Sequence, residues 1–77
     1  MKIVYRKLGR EKAWGQAHCA DNTIEIDPSL YGRHKLEIII HEALHIQNPG
    51  WEEYEIIQKS RQLANVLWKE RYRKIER

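Results

Sequence analysis

The first third of the chain alternates between apolar and polar positions in a way that predicts β-strands. In Thr23-Ile24-Glu25-Ile26-Asp27 the alternation is regular and places Ile24 and Ile26 on one face. The preceding Ala20-Asp21-Asn22 has the turn-forming residues of a hairpin. We therefore expect strands over residues 2–8, 14–19 and 23–27, with a turn at residues 9–12 after the first strand.

The remainder of the chain changes to a helical period. Leu36, Ile40 and Leu44 recur every four residues, which is the spacing of one helix face. Pro49-Gly50 ends this pattern, because proline cannot continue a helix. The sequence therefore predicts two helices, at about residues 33–46 and 52–74.

Together these elements predict an α+β domain, in which a small antiparallel sheet of about three strands packs on two helices. With 77 residues, the chain forms a single small domain (1–77) with a modest core. Domains of this size often need an additional stabilising element, and a bound metal is a common one. The single cysteine, Cys19, excludes an internal disulfide and favours a reducing, cytosolic setting.

Residues 41–45 of the first predicted helix read His41-Glu42-Ala43-Leu44-His45, the H-E-x-x-H pattern. Because positions i and i+4 lie on the same helix face, the two imidazoles can bind one zinc ion from a single rigid element. Glu42, one position round the helix, can then act as a general base toward water. The alternative interpretation is a helix that carries two surface or half-buried histidines.

A catalytic zinc ion normally has three protein ligands, with water in the fourth position. No histidine follows His45, and the upstream His18 and His34 have no recognised spacing from the motif. The other common arrangement adds a glutamate from the next helix. That helix begins with three candidates, Glu52, Glu53 and Glu55.

Helical periodicity distinguishes between the three glutamates. The predicted apolar face of the second helix contains Ile56, Ile57, Ser60, Leu63, Ala64 and Leu67. Glu53 stands seven residues before Ser60 and so points toward the first helix, where a carboxylate is costly unless zinc or another group pairs with it. Glu52 lies to the side of this apolar face and is the alternative third ligand. Glu55 points away from the face. All three could instead complement the helix dipole.

The charge distribution of the chain is mildly basic. Its formal net charge of +3 comes from 14 Lys+Arg against 11 Asp+Glu, with basic residues at both ends and acidic residues near the motif. The longest apolar runs are far below the roughly 20 residues of a membrane span. Residues 1–10 lack the apolar centre of a signal peptide. We expect a cytoplasmic protein without membrane association.

The segment His41-Glu42-Ala43-Leu44-His45, followed by Pro49, Glu53 and the run from Ser60 to Trp68, resembles a zincin-type metallopeptidase of the gluzincin kind in a very reduced form. Short phage- and prophage-encoded zincin-like proteins are similar. The resemblance covers roughly the C-terminal half of the chain. It implies a minimal zincin-like fold, a zinc ion (Zn²⁺) held by His41, His45 and Glu53, and the host cytoplasm as location if the chain is phage-encoded.

The resemblance also implies peptide-bond hydrolysis, in which zinc activates water and Glu42 is the general base. In zincins an antiparallel sheet precedes the motif helix, and its edge strand pairs with an extended peptide or protein substrate. Here the strand from Thr23 to Asp27 would be that edge strand. The second wall of the cleft in larger zincins is a C-terminal subdomain, of which only one helix remains here.

Two other functions are compatible with the sequence. The chain could be a zinc-binding module without catalysis, in which the metal stabilises the fold or mediates an interaction. It could also be a small basic nucleic-acid-binding protein with an incidental H-E-x-x-H, whose affinity would depend on salt. Glu42 favours the peptidase over the non-catalytic module, because metal binding alone does not require a carboxylate at that position.

Overall fold

The computed structural model describes residues 1–9 and 13–73. Three strands come first, β1 (Lys2–Tyr5), β2 (Gly15–His18) and β3 (Thr23–Ile26), followed by helices α1 (Gly32–Gln47) and α2 (Glu53–Lys69). This architecture confirms the predicted α+β class and the number of elements. The strands are shorter than predicted, and the turn expected at residues 9–12 lies, from residue 10 onward, outside the described residues.

The three strands form a mixed sheet in the order β1-β3-β2. Strand β2 pairs antiparallel with β3, and Asn22 closes the predicted hairpin in the left-handed conformation (φ 52°). Strand β1 pairs parallel with β3, so the prediction of an antiparallel sheet is wrong for this pair. Strands β1 and β2, which are consecutive in sequence, are therefore not neighbours in the sheet.

The strand order also corrects the predicted edge strand. Residues 23–26 are the central strand, with a partner on each side, and the segment from Thr23 to Asp27 therefore cannot pair with a substrate. Ile24 and Ile26 on its inner face are fully buried, which suits a central rather than an edge position. The edges of the described sheet are β1 and β2.

The core lies between β3 and α1. Ile24, Ile26 and Leu30 form its centre, and the residues of α1 that pack against them are Ile38, Ile39, Ala43 and Ile46. Full burial of an isoleucine side chain contributes about 1.5–3 kcal/mol to folding. This packing fixes which face of α1 lies on the sheet, and hence where the H-E-x-x-H residues point.

Asp27 connects the ends of the strands. Its Oδ2 accepts a hydrogen bond from the Leu8 amide at 3.0 Å, and its Oδ1 accepts from the Ser29 amide and hydroxyl at 2.9 and 2.7 Å. These hydrogen bonds, with the Leu8 amide first, hold the pKa of Asp27 below its usual value of 3.8. Because Leu8 is fully buried, Asp27 anchors the chain after β1 to the chain after β3.

Helix α2 differs from its prediction in length and in the width of its buried face. It ends at Lys69, before the left-handed Arg71 (φ 67°), whereas the predicted end at Lys74 lies outside the described residues. Its buried residues are Ile56, Ser60 and Ala64, which recur every four residues. Ile57 and Leu63, predicted for the same face, are exposed, because the small Ser60 and Ala64 make a narrow seam. Neither described helix is long and apolar enough to span a membrane.

Candidate metal centre

Helix α1 places His41 and His45 one turn apart on the same face. Their Nε2 atoms are 3.2 Å apart, and the ring centroids are separated by 4.9 Å. Both imidazoles are partly buried rather than extended into solvent. The i, i+4 spacing of the motif is thus realised with the two ring nitrogens pointing to one location.

Glu53, the first residue of α2, meets both imidazoles. Its Oε1 lies 3.0 Å from His41 Nε2, and its Oε2 lies 3.0 Å from His45 Nε2. A tight turn makes this meeting possible: the Asn48 amide donates to Leu44 O, and the Trp51 amide donates back to Asn48 O. The chain therefore reverses within five residues and brings the start of α2 beside the end of α1.

Helical periodicity favours Glu53 over Glu52, and the structure brings Glu53 to the histidines. The predicted orientation of Glu53 toward the core is inaccurate in one respect. The Glu53 side chain is 59% exposed, so it lies at the rim of the helix interface rather than within it. Glu52 precedes the helix in an extended conformation (φ −70°, ψ 155°) and is exposed. Within residues 1–9 and 13–73, the group with metal-ligand proximity is His41, His45 and Glu53.

The donor set fits a zinc ion. Zinc binds imidazole nitrogen and carboxylate oxygen at about 2.0–2.2 Å in a tetrahedron, so two ligand atoms should stand about 3.3 Å apart. Here His41 Nε2 lies 3.0 Å from Glu53 Oε1, His45 Nε2 lies 3.0 Å from Glu53 Oε2, and the two ring nitrogens are 3.2 Å apart, so each imidazole meets a different oxygen of the carboxylate. Hydrogen bonds account for the two contacts with Glu53, with one Nε2–H for each oxygen, but they leave no proton for the 3.2 Å contact between the two ring nitrogens. A cation bound by all three residues removes this conflict.

Glu42 is buried beside the three candidate ligands. It shares with His45 a surface pocket of about 350 Å³ whose other walls are Ala17, Cys19 and Pro49. Burial raises the pKa of Glu42, and the Glu53 carboxylate raises it further, while His41 and His45 oppose the shift. A carboxylate whose pKa lies closer to neutrality accepts a proton more readily, which is the property of a general base.

Strand β2 forms the wall next to Glu42, a feature that the sequence argument missed. Gly15 and Ala17 pair with Ile26 and Ile24, so they share the inner face of the sheet. A β-carbon at Gly15 would stand 3.0 Å from Glu42 Cγ. The sequence contains one indication of this contact. Gly15 and Ala17 are small residues two positions apart, so they leave one face of the strand bare and allow another element to pack closely against it.

Comparison of this chain with protein-family profiles, with characterised proteins and with solved structures finds no match.

Proposed function

We propose that this chain is a zinc-dependent metallopeptidase-like protein. The observation that carries the proposal is the convergence of His41, His45 and Glu53 beside the buried carboxyl group of Glu42. In this proposal the first three residues hold the metal, and Glu42 is the catalytic base. A structural zinc site would need the ligands but not the buried carboxyl group, which favours a catalytic role over a purely structural one.

A bound zinc ion would supply Lewis acidity, which polarises a carbonyl group and lowers the pKa of water. The residues of the chain supply the proton transfers and the position of the substrate. Glu42 accepts a proton at its carboxylate from the attacking water and later donates it to the nitrogen of the leaving amine. Its burial suits the first step, because a raised pKa makes the carboxylate a stronger proton acceptor.

The substrate in this proposal is an extended peptide that pairs with the edge of β2. This strand replaces the segment from Thr23 to Asp27, which is central in the sheet. Pairing with an edge strand uses main-chain hydrogen bonds and makes little demand on sequence. Since the Gly15 backbone lies against Glu42, a peptide along β2 passes close to the catalytic base. The pocket formed by Ala17, Cys19 and Pro49 would then hold one substrate side chain.

Metal content tests the ligand assignment. We expect the purified wild-type protein to bind about one zinc ion, His41→Ala and Glu53→Ala to lose it, and Glu42→Gln to retain it. Glu52→Ala is the matched control, because it removes an exposed carboxylate one position from Glu53. Equal, negligible zinc in wild type and His41→Ala would overturn the metal centre. Full zinc in Glu53→Ala, with loss in Glu52→Ala, would move the third ligand to Glu52.

Peptide hydrolysis tests the catalytic assignment separately. We expect the zinc-loaded protein to cleave members of a mixed peptide library, detected by mass spectrometry, and zinc-loaded Glu42→Gln to cleave none of them. Cleavage by Glu42→Gln at the wild-type rate would overturn its role as base. If all variants with zinc are inactive, the protein is the non-catalytic zinc module. If no variant binds zinc and the chain binds oligonucleotides in a salt-dependent way, it is the nucleic-acid-binding protein.

A further inference from the structure

A second concave feature lies at the other end of α1 from the metal centre. It is a groove of about 500 Å³ between the start of α1 and the end of α2. Leu36, Ile39 and Trp68 contribute its apolar floor, and Gly32 gives the Trp68 ring room beside the first turn of α1, with 3.8 Å to a hypothetical β-carbon. Lys35 in this groove precedes His41 by six residues, which is about 9 Å along a helix.

The walls of the groove expose aromatic rings to solvent. Tyr31 is 77% exposed and Tyr72 is 67% exposed, and both line the groove. Together with the partly buried Trp68, they form a continuous apolar and aromatic surface. Surfaces of this kind mark interaction sites, because tyrosine and tryptophan supply large contact areas with little loss of side-chain entropy.

The rim of the groove is positively charged. Lys35 and Arg73 line it, and none of its described lining residues is acidic. The described first turn of α1 also lacks acidic residues, although negative charge is favoured at a helix N-terminus. Arg73 lies with its guanidinium carbon 3.8 Å from the Trp68 ring centroid, so its charge is held directly over the apolar floor. A complementary ligand therefore combines bulk apolar groups with negative charge.

We propose that this groove is a docking site for a partner-protein segment in which bulky apolar side chains are flanked by acidic residues. The apolar side chains fill the space over Leu36 and Ile39, beside Trp68, and the acidic residues meet Lys35 and Arg73. The positive charges of Lys35 and Arg73 favour a segment with acidic residues. Single-stranded nucleic acid is less suited, because it requires a basic track along several phosphates, and Lys35 and Arg73 are the two basic residues among the described lining.

Binding of designed peptides to the full chain tests the proposal. The probe is a fluorescently labelled peptide in which leucine and phenylalanine recur at helical spacing among glutamates. One control peptide has lysine for every glutamate, and another has serine for every apolar residue. We expect the acidic apolar peptide to bind, to bind more weakly in high salt, and to exceed both control peptides by about tenfold or more in affinity. Equal binding of the lysine peptide would overturn the proposal.

Substitutions inside and outside the groove test whether the peptide binds there. Tyr31→Ala and Tyr72→Ala should each weaken peptide binding, whereas Tyr54→Ala should not, because Tyr54 is 68% exposed but lies outside the groove. Lys35→Glu should weaken it about tenfold. Lys59→Glu is its control, since the Lys35 and Lys59 amino groups lie over aromatic rings at similar distances, 5.0 and 5.1 Å. Equal effects of Tyr54→Ala and Tyr72→Ala would place the peptide elsewhere.

Two further measurements distinguish other occupants. Tighter binding of an oligothymidine that displaces the peptide would assign the groove to nucleic acid and overturn the proposal. Concentration-dependent association of the chain alone, abolished by Tyr72→Ala, would assign it to a second copy and would also overturn it. The proposal is independent of the metal centre: His41→Ala should bind the acidic peptide like the wild type, and Lys35→Glu should retain zinc.

Discussion

The backbone of Gly15 lies directly against the side chain of Glu42. A β-carbon at position 15 would stand 3.0 Å from Glu42 Cγ and 2.8 Å from Ile38 Cγ2. Real β-carbons essentially never approach as closely as the second of these distances. The position of the proposed catalytic base on α1 therefore depends on the absence of a side chain on β2, an element that is distant in sequence.

This relationship predicts that Gly15→Ala destabilises the fold and disturbs the site. Adding one methyl group to a packed interface forces neighbours to move and typically costs about 1–3 kcal/mol. We expect a loss of that size in the free energy of unfolding, measured by urea denaturation. Displacement of Glu42 should also reduce peptide hydrolysis more than it reduces zinc content, because the atoms nearest the added β-carbon belong to Ile38, Glu42 and Glu25 rather than to the histidines.

Gly50→Ala provides the control, because a β-carbon at Gly50 would meet no atom within 4 Å. Its free energy of unfolding should stay close to that of the wild type. If the two substitutions cost the same, the contact between Gly15 and Glu42 does not determine the effect.

Zinc should stabilise the folded chain through the same three residues. A ligand that binds only the folded state, at a free concentration one hundred times its dissociation constant, adds about 2.7 kcal/mol to stability. We expect the thermal midpoint to rise with zinc, to fall with a chelator, and to become insensitive to both in His45→Ala. His18→Ala should keep the response, since His18 contacts Glu25 and lies outside the metal group. A response that survives in His45→Ala contradicts the ligand assignment.

The lowered pKa of Asp27 predicts that the stability of the fold depends on pH in the acidic range. Hydrogen bonds from Leu8 and Ser29 lower its pKa in the folded state. A carboxyl group with a lowered pKa stabilises the fold above its unfolded-state pKa, and this contribution disappears as the pH falls through the folded value. The advantage of wild type over Asp27→Asn should therefore be complete near neutral pH and should shrink below the usual aspartate value of 3.8.

Urea unfolding of both proteins at a series of pH values measures this difference. Asp21→Asn is the comparison, because Asp21 is exposed in the turn between β2 and β3. An advantage of wild type over Asp27→Asn that is constant from neutral to strongly acidic pH would exclude ionisation of Asp27 as its source.

The helical half of the chain was predicted well because its signals are local. The spacing of Leu36, Ile40 and Leu44 predicts α1, and the Pro49-Gly50 turn predicts the reversal before α2. Once both helices and this short turn are known, the face that contains Glu53 must approach the face that contains the histidines. The H-E-x-x-H motif thus selects His41 and His45, and helical periodicity favours Glu53 over Glu52, although binding of zinc by these residues is still a prediction.

The sheet was predicted less well because strand order depends on contacts that are distant in sequence. Alternation identifies Ile24 and Ile26 as inner-face residues but does not say how many neighbours their strand has. The parallel pairing of β1 with β3 joins two strands that β2 separates in sequence, and nothing in the residue pattern indicates it. For the same reason the closeness of Gly15 to Glu42 appears only in three dimensions.

The burial of Ser60 between α1 and α2 predicts that zinc affinity depends on the distance between the two helices. It is fully buried in the α2 seam of Ile56, Ser60 and Ala64, and its hydroxyl donates to Ile57 O at 3.1 Å within the same helix. Leucine at this position would overfill the seam at a cost of about 1–3 kcal/mol and separate α2 from α1. Glu53 would then move away from both histidines, so we expect Ser60→Leu to bind zinc more weakly in competition with a chromophoric chelator.

Ser60→Ala separates this effect from loss of the hydroxyl group. It removes one local hydrogen bond, worth about 0.5–1.5 kcal/mol, without adding volume, and should keep the zinc affinity of the wild type. Arg61→Leu adds an apolar side chain at the neighbouring exposed position and should also keep it. Equal zinc affinity of Ser60→Leu and Ser60→Ala would show that the metal centre does not depend on the spacing of the two helices. The exposed Glu53 side chain would then reach the histidines whatever the packing of Ser60.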